Sequence, residues 1–317
     1  METIQGISEF NKSDATIVTI GTFDGVHVGH QTILKRLINN AKKEGLKSAV
    51  LTFFPHPRMV LQKDSDLKLL NTLEEKKQIL ESLGLDYLVV HKFTKEFSRL
   101  SATDFVRDVL VNRLKVKKII IGYDHRFGRN RNANIKDLVA FGETFDFSVE
   151  EIPVQEINEV SVSSTKIRNA IIEGDMPTAN NYLGYNFIIT GLVIKGKGLG
   201  RKLGYPTANI EIAENYKLIP KNGVYAVKCQ ILGRFVHGMM NIGVNPTVAE
   251  EGSNDPKKHI EVHFFNLDEN LYGQQLTIEI LARLRDEQKF ESVDQLRDQL
   301  EKDKENALHL ISTHLAN

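Results

Sequence analysis

The sequence predicts two domains in series: a doubly wound α/β domain with a parallel sheet, then a small, mostly-β antiparallel domain closed by a helix. Three observations carry this. The chain has 317 residues, too many for one compact core and suited to two domains. Through the first half, short continuous apolar runs alternate with helical patterns, which is how a parallel sheet covered on both faces reads. Beyond about residue 186 the hydrophobic period becomes two, with little helix between runs, as in an antiparallel barrel or sandwich.

Each element follows from its local pattern. The run ATIVTIG from Ala15 to Gly21 predicts a buried strand, and Gln31 to Glu44 then places Leu34, Leu37, Ile38 and Ala41 on one helical stripe. Further strands are expected at Ser48 to Phe54, Tyr87 to Val90 and Lys118 to Gly122, with helices around Leu73 to Leu83 and Ala102 to Leu114. The domain boundary is expected near Tyr182 to Asn186, giving domains 1–184 and 185–317. Past it, Tyr225, Val227, Cys229 and Ile231 alternate with polar positions, as do Ile260, Val262 and Phe264, and Leu276, Ile278, Ile280, Ala282 and Leu284. A helix closes the chain, with Ser292 and Gln295 as a capping box and Val293, Leu296, Leu300, Ala307 and Ile311 on one face.

Composition excludes several classes. Lys plus Arg and Asp plus Glu are both 41, so the net charge is zero, which argues against nucleic acid or an anionic membrane as the main partner. With 41% hydrophobic and 26% charged residues, and 22 Gly and 8 Pro, the chain is neither disordered nor fibrous. A single cysteine, Cys229, rules out an internal disulfide and a Cys-based zinc site and fits a reducing compartment. The N-terminus lacks a signal pattern, and no apolar run approaches the ~18 residues of a membrane span. A cytoplasmic protein, monomeric or weakly oligomeric, is the expectation.

Two stretches carry chemistry. Gly21-Thr-Phe-Asp-Gly-Val-His-Val-Gly-His30 runs from the first strand directly into a helix, whose free N–H groups and partial positive charge suit phosphate. His27 and His30, three apart, share a face of the first turn and would donate to phosphate oxygens as charge builds. A bare His-x-x-His equally caps or packs a helix. The turn Ser163-Ser-Thr-Lys-Ile-Arg168 again sets hydroxyls and cations at a helix start, although an ordinary capped helix reads the same.

The second stretch is Lys195-Gly-Lys-Gly-Leu-Gly-Arg-Lys-Leu-Gly-Tyr-Pro-Thr-Ala-Asn209. Gly196, Gly198, Gly200 and Gly204 expose backbone amides among Lys195, Lys197, Arg201 and Lys202, as a polyphosphate requires. Thr207 and Asn209 offer hard oxygens suited to Mg²⁺ between β- and γ-phosphates. The same tetrapeptide at Pro177-Thr-Ala-Asn180 has no glycine loop before it and reads as a helix start. Glu261 lies on the strand face opposite Ile260, Val262 and Phe264, where it is a general base for an attacking hydroxyl or an exposed strand glutamate.

Together these motifs carry a resemblance. Gly-x-Phe-Asp-Gly-x-His-x-Gly-His is similar to the nucleotidyltransferase signature. With Phe53-Phe-Pro-His-Pro57, Gly122-Tyr-Asp-His-Arg-Phe-Gly128 and Ser-Ser-Thr-x-Ile-Arg, the first half resembles the FMN adenylyltransferase module of bacterial bifunctional riboflavin kinase/FAD synthetases. The glycine loop with Pro-Thr-Ala-Asn, Asn222-Gly-Val-Tyr-Ala226, Met240-Asn-Ile-Gly-Val-Asn-Pro-Thr247, Glu261-Val-His263 and Leu284-Arg-Asp-Glu-Gln-Lys-Phe290 resembles the riboflavin kinase domain. The resemblance implies a Greek-key barrel in the second half and two ATP- and Mg²⁺-dependent steps, riboflavin to FMN and FMN to FAD. It implies that His27 and His30 bind phosphates and stabilise the transition state, that Gly21, Phe23, Asp24 and Gly29 form the nucleotide loop, and that Ser164, Thr165 and Arg168 close over it. Asp124 would contact nucleotide or flavin, and Phe127 is a flavin wall or a core aromatic. In the kinase half it implies Thr207 and Asn209 on the metal, Glu261 as base, and Arg285 near flavin phosphate or in a surface salt bridge.

Three other readings share parts of this pattern. One has a single active site. Another is a different adenylyl- or cytidylyltransferase, which leaves the second half unexplained. The third is a flavin-sensing or nucleic-acid-binding regulator on the same folds. A regulator has no need of Glu261 together with Thr207 and Asn209, and it would bind flavin without consuming ATP.

Overall fold

The computed structural model describes residues 1–62, 66–123, 125–153, 162–196, 198–244 and 258–315. The chain divides into two compact units, Met1–Ser164 and Thr165–Asn317.

The first unit is built on six parallel strands, β1 (Glu2–Gln5), β2 (Thr16–Ile20), β3 (Lys47–Phe54), β4 (Tyr87–Lys92), β5 (Val116–Gly122) and β6 (Ser148–Ile152), in the order β1-β4-β3-β2-β5-β6. The four inner strands are those the apolar runs predict. The edges β1 and β6 were not anticipated, because each buries only one residue, Ile4 or Ile152, and so shows no continuous run. Helices α1 (Val28–Glu44) and α2 (Leu73–Ser82) cover one face. α3 (Phe105–Arg113), which is π-wound, and α4 (Ile135–Phe145) cover the other.

Within each apolar run alternate residues serve opposite layers. Ile17, Val50, Leu88 and Ile120 pack with Leu34, Leu37 and Ile38 of α1. Val18, Leu51, Val89 and Ile119 pack with Val106 and Leu110 of α3. Leu37 is fully buried, and its truncation to Ala costs about 2–5 kcal/mol. After β2 the chain moves to β3 and β4 on one side and returns to β5 on the other. The strand order therefore reverses between β2 and β5, and the carboxyl ends of such strands are where open α/β sheets bind ligands.

The second unit opens with α5 (Ser164–Glu173), whose first residue ends the first unit, and α6 (Met176–Leu183). Its body is a closed antiparallel barrel of β7 (Phe187–Ile194), β8 (Ala208–Glu211), β9 (Gly223–Ile231), β10 (Arg234–Val244), β11 (Lys258–Phe264) and β12 (Gln275–Arg285), in the order β10-β11-β8-β7-β12-β9. A short helix α7 (Leu199–Lys202) follows β7, and α8 (Val293–Leu315) closes the chain.

The helices that the sequence reading places before residue 184 are tied to this barrel. Asp175 caps α6 by accepting from Thr178 N–H, so the first Pro-Thr-Ala-Asn copy is a helix start. Asn180 accepts from Phe187 N–H at 2.8 Å and donates to the Ile280 carbonyl at 2.9 Å, beside a register shift in β12. Ala307 and Ile311 of α8 pack over Val224, Ala226 and Met239, which is why β9 is buried on both faces. At the start of α8, Ser292 Oγ accepts from Gln295 N–H, and the Gln295 carboxamide oxygen accepts from Glu291 N–H, one residue before the expected partner. No helix among the described residues is long and apolar enough to cross a membrane.

Candidate active sites

In the first unit the loop from Gly21 to His27 and the start of α1 follow the carboxyl end of β2. The loop backbone is strained: Phe23, Gly25 and Val26 have φ of 47°, 85° and 36°. A β-branched valine in the left-handed region is costly and persists only where its surroundings hold it. The holds are specific. The Thr22 carbonyl accepts from Lys76 Nζ at 2.7 Å and Thr52 Oγ1 at 3.3 Å. The Asp24 carboxylate, 3% exposed, accepts from Leu70 N–H at 2.9 Å, and the Asp24 carbonyl accepts from Ser164 Oγ at 2.9 Å. Gln31 donates to the Val26 carbonyl.

His27 is the N-cap of α1, its Nδ1 accepting from His30 N–H at 3.4 Å. An accepting Nδ1 leaves the proton of the neutral ring on Nε2, which is then a donor. The two imidazoles stack, with centroids 3.7 Å apart and planes 17° apart, and Phe23 packs edge-on against His30. Burial pushes the His27 imidazolium down to about 4. His30 is held well below the usual histidine range by burial first, then by the charges of His27 and Lys76. Two neutral rings at a helix N-terminus, with its free N–H groups, form a donor surface for anionic oxygens.

In the second unit, strand register assembles the site. Glu261 on β11 pairs with Asn209 on β8, and directly opposed residues share a face. Thr207, two before Asn209, lies on that side as well, and its Oγ1 donates to Glu261 Oε2 at 3.3 Å. The glycine loop is fitted to this row. A Cβ on Gly196 would stand 2.1 Å from Asn209 Nδ2, and one on Gly200 would stand 2.2 Å from the Tyr205 carbonyl. His263 Nδ1 donates to the Pro206 carbonyl at 2.9 Å, fixing the strand one residue before Thr207. A cavity of about 340 Å³ opens beside Thr207, walled by Arg201, Val262, Phe264, Leu271 and Tyr272.

Comparison with known proteins also gives two parts, with residues 167–182 between them. A model of FAD synthetases matches residues 9–166 and one of riboflavin kinases matches residues 183–311. A bifunctional riboflavin kinase/FMN adenylyltransferase from Buchnera aphidicola subsp. Schizaphis graminum is 40% identical, over 96% of this chain and 96% of the relative. The one from Listeria monocytogenes is 40% identical over 92% and 90%, and that of Escherichia coli K12 is 34% identical over 96% of each. The chain belongs to the bifunctional riboflavin kinase/FMN adenylyltransferase family. A crystal structure from Streptococcus pneumoniae, named as a macrolide-efflux protein, superposes with a TM-score of 0.86 at 31% identity, covering 96% of this chain and 98% of that one.

Within the adenylyltransferase half of this family member, Gly21, Phe23, Asp24, His27, Gly29, His30 and Ser164 gather at the end of β2. Thr165 and Arg168 follow in α5, on the second unit's side of the division, Thr165 exposed and Arg168 half-buried. Phe127 is a core aromatic, packed with Phe105 and Phe141 and paired to Ala133. Asp124 lies outside the described residues. In the kinase half, Gly198 and Gly204 take φ of 69° and 83°, and one helical turn, α7, lies within the glycine loop. The Arg285 guanidinium is bidentate to Asp303 of α8, at 2.8 and 2.7 Å, and also donates to the Asp286 carbonyl.

Two residues escaped the sequence reading. Lys76 sits on the inner stripe of α2, between Leu73 and Leu80, and a lysine in a stripe of leucines was the available signal. Asn241 on β10 pairs with Glu261 from the side opposite Asn209, a placement only register reveals.

Proposed function

We propose that this chain makes FAD from riboflavin in two ATP-consuming steps, one in each unit. The observation that carries the reading is the row Thr207, Asn209 and Glu261, set in the barrel half of a chain whose other half presents two neutral imidazoles at a helix N-terminus.

In the barrel, the riboflavin 5′-hydroxyl passes its proton to Glu261 as its oxygen attacks the γ-phosphorus of ATP, and ADP leaves. The cavity beside Thr207, where Val262, Phe264, Leu271 and Tyr272 stand together with the polar Arg201, Asp268, Glu269 and Asn270, takes the adenosine half of ATP. Mg²⁺ fits the donor set: Thr207 Oγ1 and Asn209 Oδ1 are hard neutral oxygens, and Asn209 occupies the space that any side chain on residue 196 would need. A bound Mg²⁺ supplies neutralisation of triphosphate charge. In the first unit, an FMN phosphate oxygen attacks the α-phosphorus of a second ATP and pyrophosphate leaves. His27 Nε2–H, His30 and the α1 amides donate to the oxygens on which charge grows. The buried thiol of Cys229, raised by burial to about 11, is inert and suits a reducing cytoplasm.

The test is chromatography of flavins after incubation with riboflavin, ATP and Mg²⁺. Wild-type protein yields FMN, then FAD. His27→Ala accumulates FMN. Thr207→Ala and Glu261→Gln block FMN formation by about 10²–10⁴-fold yet make FAD from supplied FMN. A folded variant that loses both steps contradicts the division of labour, and flavin binding without ATP turnover favours a sensor.

A further inference from the structure

Lys76 is 6% exposed, and its ammonium makes one hydrogen bond among the described residues, to the Thr22 carbonyl. Two of its three N–H donors have no partner there. A buried, under-bonded ammonium is expensive, and a methionine of similar length would fill the space at lower cost. Nor does the Thr22 carbonyl need a cation, since Thr52 Oγ1 already donates to it. The position is nonetheless rigidly built. A reciprocal Thr72–Glu75 capping box starts α2 one turn earlier, and Leu70 N–H binds Asp24 just before it. Among the described residues, the titratable groups that face the ammonium are Asp24 from the loop and the neutral His30 from α1, with His27 stacked behind His30. Glu75, its neighbour on α2, is committed to the Thr72 cap.

We infer that Lys76 is a further functional residue of adenylyl transfer, a positioning cation that holds the strained Gly21–Val26 loop by the Thr22 carbonyl and places buried positive charge beside His30 for the polyphosphate of ATP. The inference rests on the reading of the first unit as the FMN adenylyltransferase. Its charge does two things. It opposes protonation of His30, keeping that ring a neutral donor, and it leaves two N–H groups unbonded among the described residues, with Asp24 the carboxylate facing it, where a polyanion arrives. Burial brings the Lys76 ammonium down to about 8, with Asp24 acting against that fall. The free enzyme therefore loses the charge just above neutral pH, and ATP binding draws the proton back.

The experiment uses the full chain and reads both reactions in each preparation, with kcat/KM for ATP followed from pH 6 to 10. In wild type, adenylyl transfer falls along an alkaline limb that begins near pH 8, and riboflavin phosphorylation in the same samples does not share it. Lys76→Met lowers kcat/KM for ATP in adenylyl transfer by about 30-fold or more, abolishes the limb, keeps FMN formation within twofold, and melts no lower than wild type. Lys76→Arg, which cannot deprotonate in this range, recovers part of the rate and moves the limb beyond the measured window. Unchanged adenylyl transfer in Lys76→Met overturns the inference. So does a loss of both reactions that tracks a lower melting temperature, with Lys76→Arg keeping the wild-type limb. Wild-type enzyme that makes no FAD from FMN and ATP removes the parent reading instead, a result separate from any variant.

Discussion

Gly196→Ala is a one-methyl perturbation whose effect can be worked from distances. The added Cβ would stand 2.1 Å from Asn209 Nδ2, 2.5 Å from Cγ and 2.7 Å from Oδ1. A relaxed contact is ~3.5 Å, so the carboxamide must withdraw by about 3.5 − 2.1 = 1.4 Å. The obstacle is the end of a side chain rather than backbone, so the fold accommodates it by an off-rotamer Asn209 at about 0.5–1.5 kcal/mol, or a few degrees of melting temperature for a unit of this size. The site does not accommodate it, because catalytic groups work within about 0.5 Å of their geometry and a misplacement of about 1 Å costs on the order of 10²-fold. Riboflavin phosphorylation should therefore drop about 100-fold with a raised Mg²⁺ requirement, while FAD formation from FMN stays at the wild-type rate. Gly198→Ala is the control. Its Cβ meets nothing within 4 Å, and only the φ of 69° is strained, at ~1–2 kcal/mol. The assay is steady-state flavin chromatography across a Mg²⁺ titration. A Gly196→Ala enzyme with kcat within threefold of wild type and the same Mg²⁺ dependence would refute the placement of Asn209.

Two further outcomes follow from buried charge. His27 titrates near 4 in the fold against a usual 6.5, so between these pH values the unfolded chain binds a proton that the folded one does not. Stability is then lost as pH falls from 6.5 to 4, by about 3 kcal/mol for a shift of 6.5 − 4 = 2.5 units. His27→Asn, which can still cap α1, should flatten that loss in melting curves at pH 7 and 4.5. Asp303 is 1% exposed and its partner Arg285 is 21% exposed. Asp303→Ala strands the guanidinium and should cost on the order of 3 kcal/mol in denaturant unfolding, whereas an unchanged midpoint would make the pair incidental.

What the sequence made legible was what repeats or clusters along the chain. The inner strands announce themselves because both faces are buried, and the glycine loop because glycines cluster there, some for close approach (Gly196, Gly200) and others for a left-handed backbone (Gly198, Gly204). The edge strands β1 and β6 bury one residue each and look like loop. The faces of α1 and α8 were readable from period, but the tie between Arg285 and Asp303 joins a strand to a helix 18 residues on, and spacing predicts no such pair. Lys76 was hidden for a different reason. A periodic pattern treats a lysine as a polar interruption, and only the fold shows it facing inward beneath Thr22. The tie of α6 to the barrel is likewise invisible in spacing, since only the hydrogen bonds of Asn180 show it reaching β7 and β12.

The distribution of carboxylates between the units is what chemistry requires of the two nucleophiles. A riboflavin hydroxyl keeps its proton at neutral pH and cannot attack phosphorus without a base. A phosphate monoester, with a second pKa of about 6, is already an anion. In the barrel, Glu261 stands half-buried with Thr207 donating to it, on a face shared with the proposed metal ligands, where it can take a proton. In the first unit, Asp24 is buried, receives Leu70 N–H and lies in the field of Lys76, and it steadies the loop. What that unit presents among the described residues is donors: two neutral rings and a helix N-terminus. A base beside an alcohol site and donors beside an anion site assign riboflavin to the barrel and FMN to the parallel sheet. The order of the two reactions follows, since the product of the first supplies the only nucleophile that the second can use without a base.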